Sequence, residues 1–381
     1  MMIYPRDDER AIRVQRMVKD WAESGLVDEP QRDRMLTDLH VEYRRTNLFL
    51  RITLFVFALI IVVALLFLIA TMLDPRTAGM SALAFLAALG CFVAAQAAIK
   101  TYRVYRFGIE EALAVASVGF FAFGSALFLE GNFSSFRLFL GAAGAAFIVF
   151  RRFGLVYVGV AAVLLAGVVP YNYAVNQSDT VRRLFCIVIL MVIFGLARER
   201  RKDHDWEFPG DLYAVLETTA WVAIYVLTNL KISEGLSIPD GVPVFYWVSY
   251  AFTWILPAVG LLLALGDRHR WMLDANIAMA IVTLMTNKAY LSGVQKPWDP
   301  IVFGVFLIVV AIGLKRWLSS GADGSRRGFI ADRLLASERE RLALAGSATV
   351  LGPGAPQPQS HEPPPSFGGG RSGGAGATGK F

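Results

Sequence analysis

The chain has 381 residues, of which 55% are hydrophobic and only 18% charged, with a mean hydropathy of +0.50. That balance excludes an ordinary soluble domain, because the apolar residues gather into blocks of about twenty, the length that crosses roughly 30 Å of hydrocarbon. The formal charge of +6 is explained by loop arginines that set orientation, so no nucleic-acid partner is expected. Cys91 and Cys186 both fall in apolar blocks and make neither a disulfide framework nor a metal site.

Residues 1–46 read as a pair of helices. Ala11, Val14, Met17, Val18 and Trp21 recur at helical spacing, and Gly25 is a stop. Asp28 opens a second helix, with Pro30 early in its first turn and Gln31 placed for a capping box. Met35, Leu36 and Leu39 give it an apolar side for the membrane or a protein partner. Nine basic residues against ten acids exclude a polybasic lipid patch here. The first apolar block begins only near Asn47, after this charged segment, so no cleavable signal is expected.

Ten spans follow, at about 47–72, 79–99, 110–130, 136–150, 154–173, 182–197, 211–231, 243–265, 271–290 and 298–317. The fourth and sixth are short, which leaves the count between eight and ten. With the N-terminus inside, the inner loops collect Lys100, Arg103 and Arg106, then Arg151 and Arg152, then Arg198 to Lys202, then Arg268 and Arg270. Arg137, Arg182 and Arg183 are the exceptions, at outer ends. The fold class expected is therefore all-α, a polytopic transmembrane bundle over 47–317. Both termini lie in the cytoplasm and the location is a cytoplasmic (inner) membrane.

Gly90, Ala94 and Ala98 repeat every four residues in the second span, and Gly141 with Ala145 in the fourth, a spacing that lets helix backbones approach within a compact bundle or across a homo-oligomer face. The halves carry no internal repeat of the kind many carriers have. Pro170 and Pro257 sit inside apolar blocks, where they kink helices. Beyond 318, residues 326–345 are expected as a charged cytoplasmic helix, and the Pro/Gly-rich stretch from Gly352 as disordered.

The opening segment VQRMVKDWAESGLVDEPQRDRML, with its W-x3-G-[LI] step from Trp21 to Leu26, is followed at once by RTNLFLRITLFVFALIIVVALLF. It resembles the bacterial multi-pass membrane family known as domain of unknown function 2157. The resemblance covers about the first 70 residues and the layout of spans. It implies a cytoplasmic helical pair leading into a membrane bundle, and no activity.

The seventh span carries an acid, Glu217, about 9 Å along the helix from Asp211. Tyr213, Trp221 and Thr228 share its face, giving a polar-aromatic stripe that turns into the bundle. A charge at the bilayer centre costs about 2.5–3.5 kcal/mol on insertion scales. Glu217 is therefore either a protonatable or cation-binding site on a transport path, or a group hydrogen-bonded between helices. In the ninth span Asp274 and Asn276 lie one turn inside the cytoplasmic end. If the two helices are neighbours, Glu217 and Asp274 line one inward-facing pocket. Asp274 and Lys288 share a face about 21 Å apart and cannot pair; Lys288 snorkels to the surface. His269, in the turn GDRHR, is expected to be solvated, and the other histidines show no metal spacing.

The terminal GAGATGK, Gly374 to Lys380, lacks the Ser/Thr of a phosphate-binding loop and any flanking helix, so no cofactor is expected. The sequons at Asn132 and Asn176 fall on outer loops. Without a nucleophile or metal motif an enzyme ranks last. A non-enzymatic scaffold or sensor component is preferred, and an ion or small-solute carrier using Glu217 and Asp274 is the alternative.

Overall fold

Apolar blocks that lack internal breakers become long helices. The computed structural model describes residues 3–44, 46–128, 134–173, 178–204, 212–233, 243–267, 269–290, 299–320, 325–326 and 329–330. In chain order the helices are α1 (Arg6–Glu23), α2 (Glu29–Asp38), α3 (Leu48–Leu73), α4 (Thr77–Tyr102), α5 (Ile109–Leu127), α6 (Ser134–Phe153) and α7 (Val156–Tyr173). They continue with α8 (Asp179–His204), α9 (Leu212–Thr228), the single turn α10 (Leu230–Ser233), α11 (Pro243–Asp267), α12 (Arg270–Tyr290) and α13 (Asp299–Ser319). Six of them, α3, α4, α5, α7, α8 and α11, are long and apolar enough to cross a membrane, and α9 is a shorter apolar helix. Pro170 and Pro257 lie inside α7 and α11.

The amino-terminal pair is fixed by local signals. α1 stops at Gly25, whose φ of 73° is natural only to glycine among common residues. At the start of α2 the Asp28 N–H donates to Gln31 Oε1 at 3.3 Å, one half of a capping box. Gln15 Nε2 donates to the Leu39 carbonyl at 2.6 Å and ties the helices together. The pair is seated on one end of the bundle: Ile3 N–H donates to the Arg152 carbonyl at 2.8 Å, and Arg44 N–H to that of Arg103 at 2.9 Å. Tyr4 packs edge-on against Tyr43 and Tyr105, with centroids 6.0 and 5.0 Å away.

Consecutive helices pack as neighbours through α4, α5, α6 and α7, then α8 with α9 and α11 with α12. α9 is the hub, touching α7, α8, α11 and α12. One apolar core gathers around it, with Leu190, Leu212, Trp221, Ile224, Tyr225 and Met272. A second, built from Tyr4, Ile12, Ala95, Val104, Tyr105 and Phe153, joins α1 to one end of α4–α7.

Four expectations need correction. α8 runs to His204, seven residues past the apolar block, because Arg, Glu and Lys are good helix formers and prolong it. Arg198 and Arg201 are therefore helical, not loop, residues. His269 is buried rather than solvated, since the turn folds back to cap α12. Gly90 and Ala94 stand on the exposed side of α4, and its inward stripe is Ala84, Ala88, Cys91 and Ala95. Finally, Ser325–Arg326 pairs antiparallel with Phe329–Ile330, so the start of the expected 326–345 helix is a short strand pair; Gly328 is a poor helix residue. The rest of that helix, the glycine-rich tail and both sequon asparagines lie outside the described residues.

Candidate functional site

Glu217 sits on the second turn of α9 with a side chain only 1% exposed. Two arginines one turn apart on α8 make that burial tolerable. Arg201 Nε lies 2.5 Å from Glu217 Oε2, and Arg198 Nη1 lies 3.8 Å from Oε1. The same arginines reach Asp267 at the end of α11, at 2.7 and 2.8 Å. Two cations thus face two carboxylates, and the group is formally neutral. Pairing of this kind is what a buried charge requires.

His269 closes the group from the start of α12. Its Nδ1 accepts the Met272 N–H at 3.0 Å, which assigns the ring proton to Nε2. Nε2 in turn lies 3.7 Å from Glu217 Oε2. Four helices, α8, α9, α11 and α12, are therefore pinned together at one end of the bundle.

From Glu217 a polar line continues along α9 at every fourth residue, through Trp221 and Tyr225 to Asn229, a span of about 18 Å. Each group finds a partner on α12 or beside it. Trp221 Nε1 donates to Asn276 Oδ1 at 3.0 Å, and Asn276 Nδ2 to the Met272 carbonyl at 2.6 Å. The Tyr225 hydroxyl donates to the Met279 carbonyl at 3.0 Å and lies 2.8 Å from Thr283 Oγ1. Asn229 Nδ2 donates to Thr286 Oγ1 at 3.2 Å, and Tyr290, which donates to Asn229 Oδ1 at 3.3 Å, accepts the Leu230 N–H at 2.6 Å. Those last bonds satisfy the backbone where α9 gives way to α10. Asn276 is 0% exposed and faces Gly260 on α11, where a Cβ would collide with its amide.

Of the residues singled out from the sequence, Glu217, Trp221 and Asn276 come together in this seam. Tyr213 is half-buried, edge-on to Phe150 at 6.0 Å. Thr228 is buried but bonds back to its own helix at the Ile224 carbonyl, 2.9 Å away. Asp274 lies on the exposed side of α12, because two residues before Asn276 means about 200° around the helix. Glu217 and Asp274 do not share a pocket.

A second, half-buried ion pair went unpredicted. Arg51, on α3, grips Glu111, at the start of α5, through Nε at 2.7 Å and Nη2 at 2.5 Å. Beside it Glu110 Oε1 accepts the Phe107 N–H at 2.6 Å, capping α5. Gly108, with φ of 110°, allows the Arg51 carbonyl to approach closer than any Cβ would permit. The signal was in the sequence: one cation just inside the first apolar block, and two acids opening the third. For Glu217 the matching signal was Arg198 and Arg201, three residues apart and so on one helix face.

Compared with family models, characterised proteins and solved structures, the chain matches none.

Proposed function

We propose that the chain is a non-enzymatic scaffold or sensor component of the cytoplasmic (inner) membrane, built from ten spans with both termini in the cytoplasm. The ten helices α3–α9 and α11–α13 support that span count. The observation that carries the reading is α2. This helix is fastened through α1 to the end of the bundle, yet none of its ten residues is buried. Met35, at 40% exposed, and Leu26, at 59%, stand outward together with Met17 of α1, while α1 turns Ile12 and Val18 inward. A helical pair seated on the bundle with outward Met17, Leu26 and Met35 suits a protein partner. Membership in the family that the first 70 residues resemble is part of the same proposal.

A photo-crosslinking amino acid at Met35, in cells, tests it. A discrete adduct with one protein is expected, and Leu26→Glu abolishes it without loss of folded protein. No adduct, or one indifferent to Leu26→Glu, overturns the reading.

The carrier reading rests on the polar line from Glu217 to Asn229. It predicts proton- or cation-linked flux in liposomes that Glu217→Gln abolishes. The mutual bonding of these groups favours a closed seam over a path.

A further inference from the structure

The two adjacent acids that open α5 are satisfied very differently. Glu111 is gripped by Arg51 through Nε at 2.7 Å and Nη2 at 2.5 Å. Glu110 is 2% exposed, and its Oε1 accepts the Phe107 N–H at 2.6 Å. Its Oε2 is sealed from solvent and has no hydrogen-bond partner among the described residues. Arg51, spent on Glu111, reaches Glu110 only through its field. A carboxylate buried without an ion-pair partner is costly, and taking up a proton removes that cost.

The seat of the amino-terminal pair is what covers this carboxyl. Tyr4 faces it from that pair, and Glu110 is the strongest charge Tyr4 meets. Glu111 stands beside it on α5, Arg51 faces it from α3 and Tyr157 from α7. In the connection from α4 to α5, Tyr105 packs on Tyr4 at 5.0 Å and Arg106 lies over the Tyr105 ring at 5.6 Å. On α6, Arg152 donates to Gln96 Oε1 at 3.0 Å.

That connection is held in a costly shape. Arg103 and Arg106 both have left-handed backbones, with φ of 47° and 50°, which side chains other than glycine adopt only when their surroundings fix them. From the bundle, Glu110 fixes it by accepting the Phe107 N–H. From the amino-terminal pair, Arg44 N–H donates to the Arg103 carbonyl at 2.9 Å, and Tyr105 N–H to the Arg44 carbonyl at 3.1 Å. One strained turn thus joins the sealed carboxyl to the seat above it.

We propose that Glu110 is a proton-operated latch, which carries a proton while the amino-terminal pair is seated and loses it as the pair lifts and water reaches the carboxyl. The latch is independent of what α2 binds. Once lifted, the carboxyl returns to its ordinary value of about 4.3. The seated state therefore holds the extra proton, so seating is favoured in acid and weakens as pH rises, by at most about tenfold per pH unit for a single proton. Tyr4 and Tyr43 lose their protons only above about pH 10 and are silent over this range.

The full chain in detergent is cleaved within residues 3–44 at intervals from about pH 5 to about pH 9. The wild-type rate is divided at each pH by that of Glu110→Gln, which cancels the protease's own profile. Gln keeps an oxygen for the Phe107 N–H and cannot ionise. The ratio is expected to be level at the acid end and then to climb, by up to about tenfold per pH unit at its steepest. If Glu110→Gln does not fold, infrared spectroscopy of wild type carries the test. The carbonyl band of a protonated carboxyl is then expected to vanish over the same pH interval in which cleavage accelerates. A ratio flat across the range overturns the proposal, as does the lack of any carboxyl band that vanishes in step with cleavage.

Discussion

Arg201 on α8 and Glu217 on α9 form a buried ion pair at 2.5 Å, with Arg198 and Asp267 completing a neutral set of four. The two arginines that prolong α8 past its apolar block are the ones that neutralise the buried acid of α9.

The seam above that pair depends on volume as well as polarity. Gly260→Ala should destabilise the protein by about 1–3 kcal/mol, because its Cβ takes the space of the Asn276 amide. Asn276→Ala alone should cost about as much, leaving Trp221 Nε1–H without its acceptor. The double variant should recover part of the loss, since the added methyl enters vacated space. Thermal unfolding of the three proteins in detergent decides it, and strictly additive losses would count against a shared space.

At the second ion pair, Arg51→Gln should destabilise α3 against α5 by about 1–3 kcal/mol, because it leaves the buried Glu111 carboxylate without its charged donor while Arg51 itself is partly exposed. Arg51→Gln with Glu111→Gln should be milder than either single change. Protease accessibility of residues 45–55 is the readout. Equal accessibility in all variants would show that the pair does not hold the helix.

The seating of the amino-terminal pair should weaken in alkali. Burial, and then the nearby Asp8 carboxylate, push the Tyr43 hydroxyl above its ordinary value near 10. Burial does the same, more strongly, to Tyr4. The folded state therefore holds these protons more tightly than the unfolded chain. Their contribution is fully present below pH 10 and is lost as pH rises through the raised values. Limited proteolysis within residues 3–44 should accelerate above about pH 10, and Tyr43→Phe should blunt that rise while Tyr4 sustains the remainder. A rate flat to pH 11 would contradict it.

Long-period features were legible in the sequence and cross-chain pairings were not. Helical spacing from Ala11 to Trp21, the Gly25 stop and the Asp28–Gln31 cap all concern residues within a few turns of one another. The apolar blocks are equally local, and they fall on helices, six of which are long and apolar enough to cross a membrane. Glu217 was legible as an anomaly, and Trp221 as its neighbour on one face. Its ion-pair partners are 16 and 19 residues away, at Arg201 and Arg198. They were hidden because α8 was expected to end with its apolar block at 197. Asp274 was misplaced for a simpler reason: depth in a span fixes height along the helix, and the rotation that separates it from Asn276 decides what it faces.

The claim that Glu217 fastens the bundle is tested most directly by a double-mutant cycle of unfolding in detergent, using Glu217→Leu and Arg201→Met. Each single variant should lose about 3–5 kcal/mol by stranding a buried charge, and the double should lose clearly less than their sum, since Arg198 and Asp267 still pair. A Glu217→Leu protein that unfolds like wild type, with additive effects in the double, would contradict it.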